Sequence, residues 1–177
     1  MSLAHVALAA AEREDREERI DVSGMFRGFL SRLEPELRDD RILVLPFLAS
    51  DLSAVRGERR ALETAFWALI RRSWRSLLPR GGTITLRTWE EEGSVWCTVS
   101  DDGPGIEDWA VLERLSLEPL LGSGAEDELP GSEVGLAREL IRAAGGAFHM
   151  ESRPRLWTRY SVVFPAERLV RKVVPPL

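Results

Sequence analysis

The 177-residue chain has no asparagine and only one cysteine, Cys97. A single cysteine cannot close an intramolecular disulfide or build a cysteine zinc site, so a reducing compartment suits the chain. Cys97 lies within a hydrophobic, strand-like run and reads as a buried small hydrophobe. No apolar run reaches the length of a membrane span. The opening "MSLAHVALAAAERED" lacks the basic start of a signal peptide. The expectation is a soluble, cytoplasmic chain without direct membrane contact, although a longer parent protein could still be membrane-attached. The "MSL" start is compatible with a fragment of something longer. Positive charge is also not in excess: the net charge is −5 and the pI about 5.2. Such a chain does not advertise itself to DNA, RNA or an anionic membrane, and no nucleic-acid partner is expected.

The composition is 44% hydrophobic and 30% charged, which suits one globular domain with a short extension. Residues 4–19, rich in Ala, Glu and Arg, read as the end of a helix. "RIDVSGM" reads as a short edge strand, with Ser23 as a cap for the next helix. Met25, Phe26, Phe29, Leu30, Leu33 and Leu37 draw one apolar helical face, and Pro35 is expected to bend or shorten that helix. "RILVLPFLA" reads as a buried strand and "DLSAVRG" as a loop. Leu62, Phe66, Leu69, Ile70 and Trp74 mark the longest helix, which "PRGG" ends. "TITLRTWEEEGSVWCTVSD" is a hairpin around Gly93. A short helix, "EDWAVLERL", and a polar loop to about residue 133 follow. "VGLARELIRAAGG" is a helix closed by glycines. "AFHMESRPRLWTRYSVVFPAE" is a second hairpin and "RLVRKVVPPL" a basic tail. This order predicts an α+β two-layer sandwich: a mixed sheet of about five strands, covered on one face by about three helices.

"VSDDGPGIED", residues 99–108, carries the strongest chemical signal. A strand that ends in acids before glycines sets a carboxylate at a sheet end and lets a ligand approach the backbone. Asp101 suits an exocyclic amine such as that of adenine, and Gly103 and Gly105 leave room for a flat base. A second glycine-rich stretch, "PGSEVGLA", opens a helix, where free N–H groups and the dipole favour phosphate. Each piece alone reads equally well as an ordinary turn.

In this order the motifs resemble the ATP-binding domain of sensor histidine kinases. That domain belongs to a wider group that also holds gyrase, a heat-shock chaperone and the mismatch-repair ATPase. "VSDDGPGI" resembles the first glycine box and "LSLEPLL" the phenylalanine box with leucines instead. "GSEVGLARELIRAAGGAFHMES" resembles the second glycine box with its helix and strand, and "TRYSVVFP" the last strand. "PRGGTITLRT" resembles the strand after the asparagine box. The resemblance implies a nucleotide site containing Asp101, Gly103, Gly105, Gly131, Gly135, Leu136 and Thr158. It implies ATP or ADP as cofactor, and a response regulator or a partner histidine kinase as partner. It divides the chain into residues 1–19, the end of a dimerising helix or a linker; 20–170, the ATP-binding domain; and 171–177, a tail. A homodimer through the N-terminal helix is part of the same expectation. The phosphoacceptor histidine would lie upstream of this chain or be absent: His5 is followed by "VALA", and both His5 and His149 read as ordinary residues.

The departures from the pattern concern the phosphate end. Where the family's asparagine box stands, this chain has "ALIRRSWR", with Ala68 and Arg72 in the two asparagine positions and Arg75 where a phosphate-side cation is usual. No shift of alignment restores the amide, because the chain has no asparagine. An arginine has five donors, no acceptor and a permanent charge, so it cannot ligate magnesium, which wants oxygens. Either Arg72 neutralises phosphates itself, or it blocks the site or pairs with Asp101, Asp102 or another carboxylate. Glu133 replaces the middle glycine of the second box and would repel a triphosphate. Trp157 stands where a glycine precedes the threonine, and the segment between Leu120 and Pro130 is acidic. No metal-ligand set and no catalytic residue can be assigned. Three readings follow: a histidine kinase domain with impaired or lost magnesium-ATP phosphotransfer, a pseudokinase or docking module, and an anti-sigma-factor-type serine kinase.

Overall fold

The computed structural model describes residues 17–107 and 132–170. Strand β1 (Glu18–Ile20) opens the described chain, so the helix read over residues 4–19 does not extend through Glu18 and Arg19. Helix α1 (Val22–Asp39) follows after one residue. Its cap is Asp21, not Ser23: the Asp21 Oδ1 accepts from the Gly24 N–H at 2.9 Å, which offsets one orphan donor of the first turn. Ser23 lies inside the helix, buried, and its hydroxyl meets that of Thr88 at 2.7 Å. The helix also runs through Pro35 to Asp39, because Leu33 and Leu37 on either side are held in the core.

Strand β2 (Ile42–Leu48) is an edge strand rather than a buried one. Leu43 and Phe47 are 59% and 57% exposed on the face away from the helices. A continuous apolar run gives no sign of which face is covered, and this misled the sequence reading. The stretch read as a loop, "DLSAVRG", contains strand β3 (Ala54–Gly57), which pairs antiparallel with β1. Helix α2 (Arg59–Leu77) buries Leu62, Phe66, Leu69 and Ile70 as its spacing predicts, with Trp74 packed against that core. Strands β4 (Gly82–Glu91) and β5 (Ser94–Asp101) form the first hairpin. Its two-residue turn is Glu92–Gly93, both with positive φ, as a twisted hairpin favours. Helix α3 (Ser132–Ala143) precedes the second hairpin, β6 (Ala147–Arg153) with β7 (Trp157–Phe164). A short 3₁₀ turn leads to β8 (Leu169–Val170), which pairs with β3.

The main sheet has the order β2-β4-β5-β7-β6, with β2 and β4 parallel and the other pairs antiparallel. It is the five-stranded mixed sheet expected, and among the described residues three α-helices accompany it. A small sheet, β1-β3-β8, stands beside it. Alternation sorts β5 into Val95, Cys97, Val99 and Asp101 facing the core, with Trp96 facing out. The core fills the space between sheet and helices, with Phe26 and Phe66 meeting edge to face at 4.9 Å between centroids. On the uncovered face Trp89 stacks on Trp96 at 5.6 Å, with Arg87 over the Trp89 ring. The short helix read over 107–115 lies outside the described residues apart from Glu107, and so does the loop after it apart from Ser132 and Glu133, which open α3. Of the basic tail, Arg168 ends the 3₁₀ turn and Leu169–Val170 form β8, and the rest lies outside the described residues.

Candidate functional site

Asp101 ends β5, and the period-two alternation that buries Val99 also carries its carboxyl inward. The side chain is only 3% exposed. Its Oδ1 accepts from the Gly103 N–H at 3.1 Å and from the Ser76 hydroxyl at 3.0 Å. Its Oδ2 is buried with no hydrogen-bond partner. Burial pushes the Asp101 carboxyl above the usual carboxylate range; the Ser73 and Ser76 hydroxyls, the Gly103 N–H and the Arg72 charge pull partly against it. A buried carboxylate oxygen without a donor is costly, and it forms a ready acceptor for a ligand N–H.

Two glycines make the floor beside it. A Cβ at Gly103 would stand 2.7 Å from the Asp101 Oδ1 and 2.9 Å from the Ser76 Oγ, within the space of the hydrogen bond between them. Gly105 has φ +66°, and a Cβ there would meet the Arg153 carbonyl oxygen at a distance no real contact allows. That close approach docks the "DGPG" stretch onto the β6–β7 turn. The Arg155 N–H donates to the Pro104 carbonyl at 2.6 Å and the Ile106 N–H to the Ser152 hydroxyl at 2.9 Å.

Thr158 lies directly across the β5–β7 ladder from Asp101 and is 4% exposed. Its hydroxyl is 3.0 Å from that of Ser152, which also donates to the Trp157 carbonyl. Trp157, at the position where a glycine was expected, takes its place at the start of β7, with Arg159 over its ring. The structure thus brings Asp101, Gly103, Gly105 and Thr158 together at one end of the sheet. Asp102, next in the chain, turns away: it is exposed and accepts from the Thr83 N–H.

The cations come from one turn of α2. Arg72 is half-buried, its Nε has no hydrogen-bond partner, and its charge is felt by both Asp101 and Tyr160. No ion pair joins Arg72 to Asp101 or Asp102. Instead Glu133, in the first turn of α3, lies 3.1 Å from Arg75 and 3.5 Å from Arg71. Glu133 is thus a shared partner of two guanidinium groups. The Tyr160 hydroxyl feels the Arg72, Asp101 and Glu133 charges, and burial pushes it up. Gly135 is buried within α3, and Leu136 is exposed on the same helix. Gly131 lies outside the described residues.

Sequence reasoning missed Ser76, Ser152 and Arg71. Ser76 lies one turn beyond Arg72 on the same helix, a spacing that was legible had the helix face toward Asp101 been assigned. Ser152 is visible only through the register that sets it opposite Thr158.

A family model described as histidine kinase-, DNA gyrase B- and HSP90-like ATPase matches residues 57–168. Sporulation kinase A of Bacillus subtilis is 27% identical over 158 residues, which is 89% of this chain and 25% of that protein. The cell-division control histidine kinase PdhS of Brucella canis is 22% identical over 86% of this chain and 16% of its own length. The chain thus spans a quarter or less of these relatives. Among solved structures, the catalytic domain of the histidine kinase ThkA aligns with a TM-score of 0.70 at 15% identity, over 85% of this chain and 95% of that one. Full-length ShkA in complex with AMPPNP aligns with a TM-score of 0.70 at 17% identity, over 90% of this chain and 32% of that one.

Proposed function

Since the chain belongs to the histidine kinase-, DNA gyrase B- and HSP90-like ATPase family, we propose that it is the nucleotide-binding domain of a two-component signalling protein whose magnesium-ATP phosphotransfer is impaired or lost. The observation that carries the nucleotide reading is the Asp101 carboxylate, buried with one oxygen that makes no hydrogen bond within the protein. An adenine amine supplies that donor, Gly103 and Gly105 leave room for the ring, and Thr158 and Ser152 close the far side with hydroxyls. A bound nucleotide would supply a transferable phosphoryl group. The residues of this chain would hold the base, exclude water from Asp101 and present guanidinium groups to the phosphates.

Magnesium fits these residues poorly. Arg72 offers donors and positive charge to a cation that needs oxygens. Among the described residues no group of three or more His, Cys, Asp and Glu side chains is gathered to hold a metal ion. Arg72 and Glu133 also favour a second reading, a pseudokinase that keeps the fold to dock a response regulator or a partner kinase. The anti-sigma-type serine kinase is the less favoured third, because the leucine-bearing "LSLEPLL" box points to sensor kinases.

Calorimetric titration of the chain with ATP, with magnesium and with a chelator, tests the proposal. Binding that persists in chelator supports it. Micromolar binding that requires magnesium would return the domain to ordinary kinases. No binding at millimolar ATP removes the nucleotide reading and leaves the docking module.

A further inference from the structure

Glu133 stands at a place with two attractions for an anion. It occupies the first turn of α3, where the helix dipole is positive, and it reaches the guanidinium groups of Arg71 and Arg75 on α2. These are the features a phosphate group would use at such a place: a helix N-terminus and a pair of arginines. The Glu133 side chain is 22% exposed and the two arginines 42% and 43%, so the carboxylate is partly withdrawn from water while its partners stay open to solvent and to an incoming anion. Arg71 and Arg75 come one turn apart from the same helix face, with Arg72 between them, and Glu133 is the carboxylate within ion-pair distance of both among the described residues.

We propose that Glu133 is a tethered phosphate mimic that makes the site selective for the base of a nucleotide over its phosphates. The inference rests on the nucleotide reading for the base end but on its own contacts for the phosphate end. While the carboxylate holds Arg71 and Arg75, a phosphate chain must displace it to gain the same donors, so phosphates add little to affinity. The ligand class is an adenine nucleoside or nucleotide recognised through Asp101, with its phosphates in competition with Glu133. The exchange is one of ion pairs only, with no covalent step.

The test uses the full 177-residue chain, its Glu133→Gln and Glu133→Ala variants, and three probes: adenosine, ATP in chelator, and inorganic pyrophosphate. The glutamine keeps the shape and removes the charge. In the parent chain adenosine and ATP should bind within about threefold of each other, and pyrophosphate should not bind measurably. In both variants ATP should tighten by roughly tenfold or more and pyrophosphate should become detectable, with adenosine unchanged. Adding Arg75→Gln to Glu133→Gln should remove most of that gain. Melting curves confirm that each variant folds, and the alanine variant guards against a glutamine that keeps the contact. Adenosine that binds with ATP indifferent to the charge of Glu133 overturns the mimic and leaves the base site standing. Adenosine that fails to bind anywhere sinks the base-end reading, while the pyrophosphate arm still decides the mimic by itself. Pyrophosphate binding equally to parent and variants, or to none of them, overturns it.

Discussion

At the scale of single residues the site rests on Asp101, whose burial sets two opposed demands. An ionised carboxylate accepts a ligand amine strongly but costs free energy without one. Its folded pKa lies above its unfolded value near 3.8, so its contribution to stability is full below that value and is lost as pH rises through the raised pKa. The melting temperature of the parent chain relative to Asp101→Asn should therefore fall as the pH is raised above about 4. The same variant turns a donor toward the ligand in place of the orphan acceptor. It should weaken adenosine by roughly tenfold or more and improve inosine, whose ring presents a carbonyl there. Adenosine affinity in the parent chain should likewise decline as acid protonates Asp101, which calorimetry at several pH values would read. A parent affinity flat across that range would remove Asp101 from base recognition.

At the scale of elements, what holds the site in place is the contact between the "DGPG" stretch and the β6–β7 turn. Gly105→Ala forces a Cβ against the Arg153 carbonyl in a left-handed backbone conformation. It should cost about 1–3 kcal/mol and loosen Thr158 together with Asp101, seen as faster hydrogen exchange at Ile106 and Arg155. Elements with a strong period were legible in the sequence. The apolar stripes of α1 and α2 and both hairpins could be read from spacing and turn residues alone. That Asp101, Gly103 and Gly105 gather at one end of a strand was legible too, because a strand end and its glycines are adjacent in the chain. Strand β2 was misread because its seven residues are apolar on both faces, and only its edge position decides exposure. Strand β3 was hidden by its brevity and by turn residues around it, and its partners are far away in the chain. Charge partners were the hardest to foresee. The family resemblance marked Arg75 and Glu133 separately, but only the packing of α3 against α2 makes them a pair.

At the scale of the whole molecule, one core between sheet and helices carries both stability and site. Phe66 is fully buried against Phe26 in its centre. Phe66→Ala should cost about 3–5 kcal/mol, measured by chemical denaturation, because it removes a fully buried ring and leaves a cavity. Binding should suffer alongside, since α2 supplies Ser73, Ser76 and the arginines from the same rigid helix. A variant that lost this stability but bound adenosine as before would show that base recognition does not need α2 held in place.

The opposite face of the sheet offers something of practical use. The indole rings of Trp89 and Trp96 lie nearly parallel, 13° apart, across the β4–β5 hairpin. Indole transitions held that close couple, so the pair should give a paired-sign circular dichroism band in the far ultraviolet, which Trp96→Phe abolishes. The band disappears once the two strands part. The chain thus carries a built-in optical gauge of its central hairpin, on the side away from the α2 arginines and Asp101, which lets loss of fold be told apart from loss of ligand in a single cuvette.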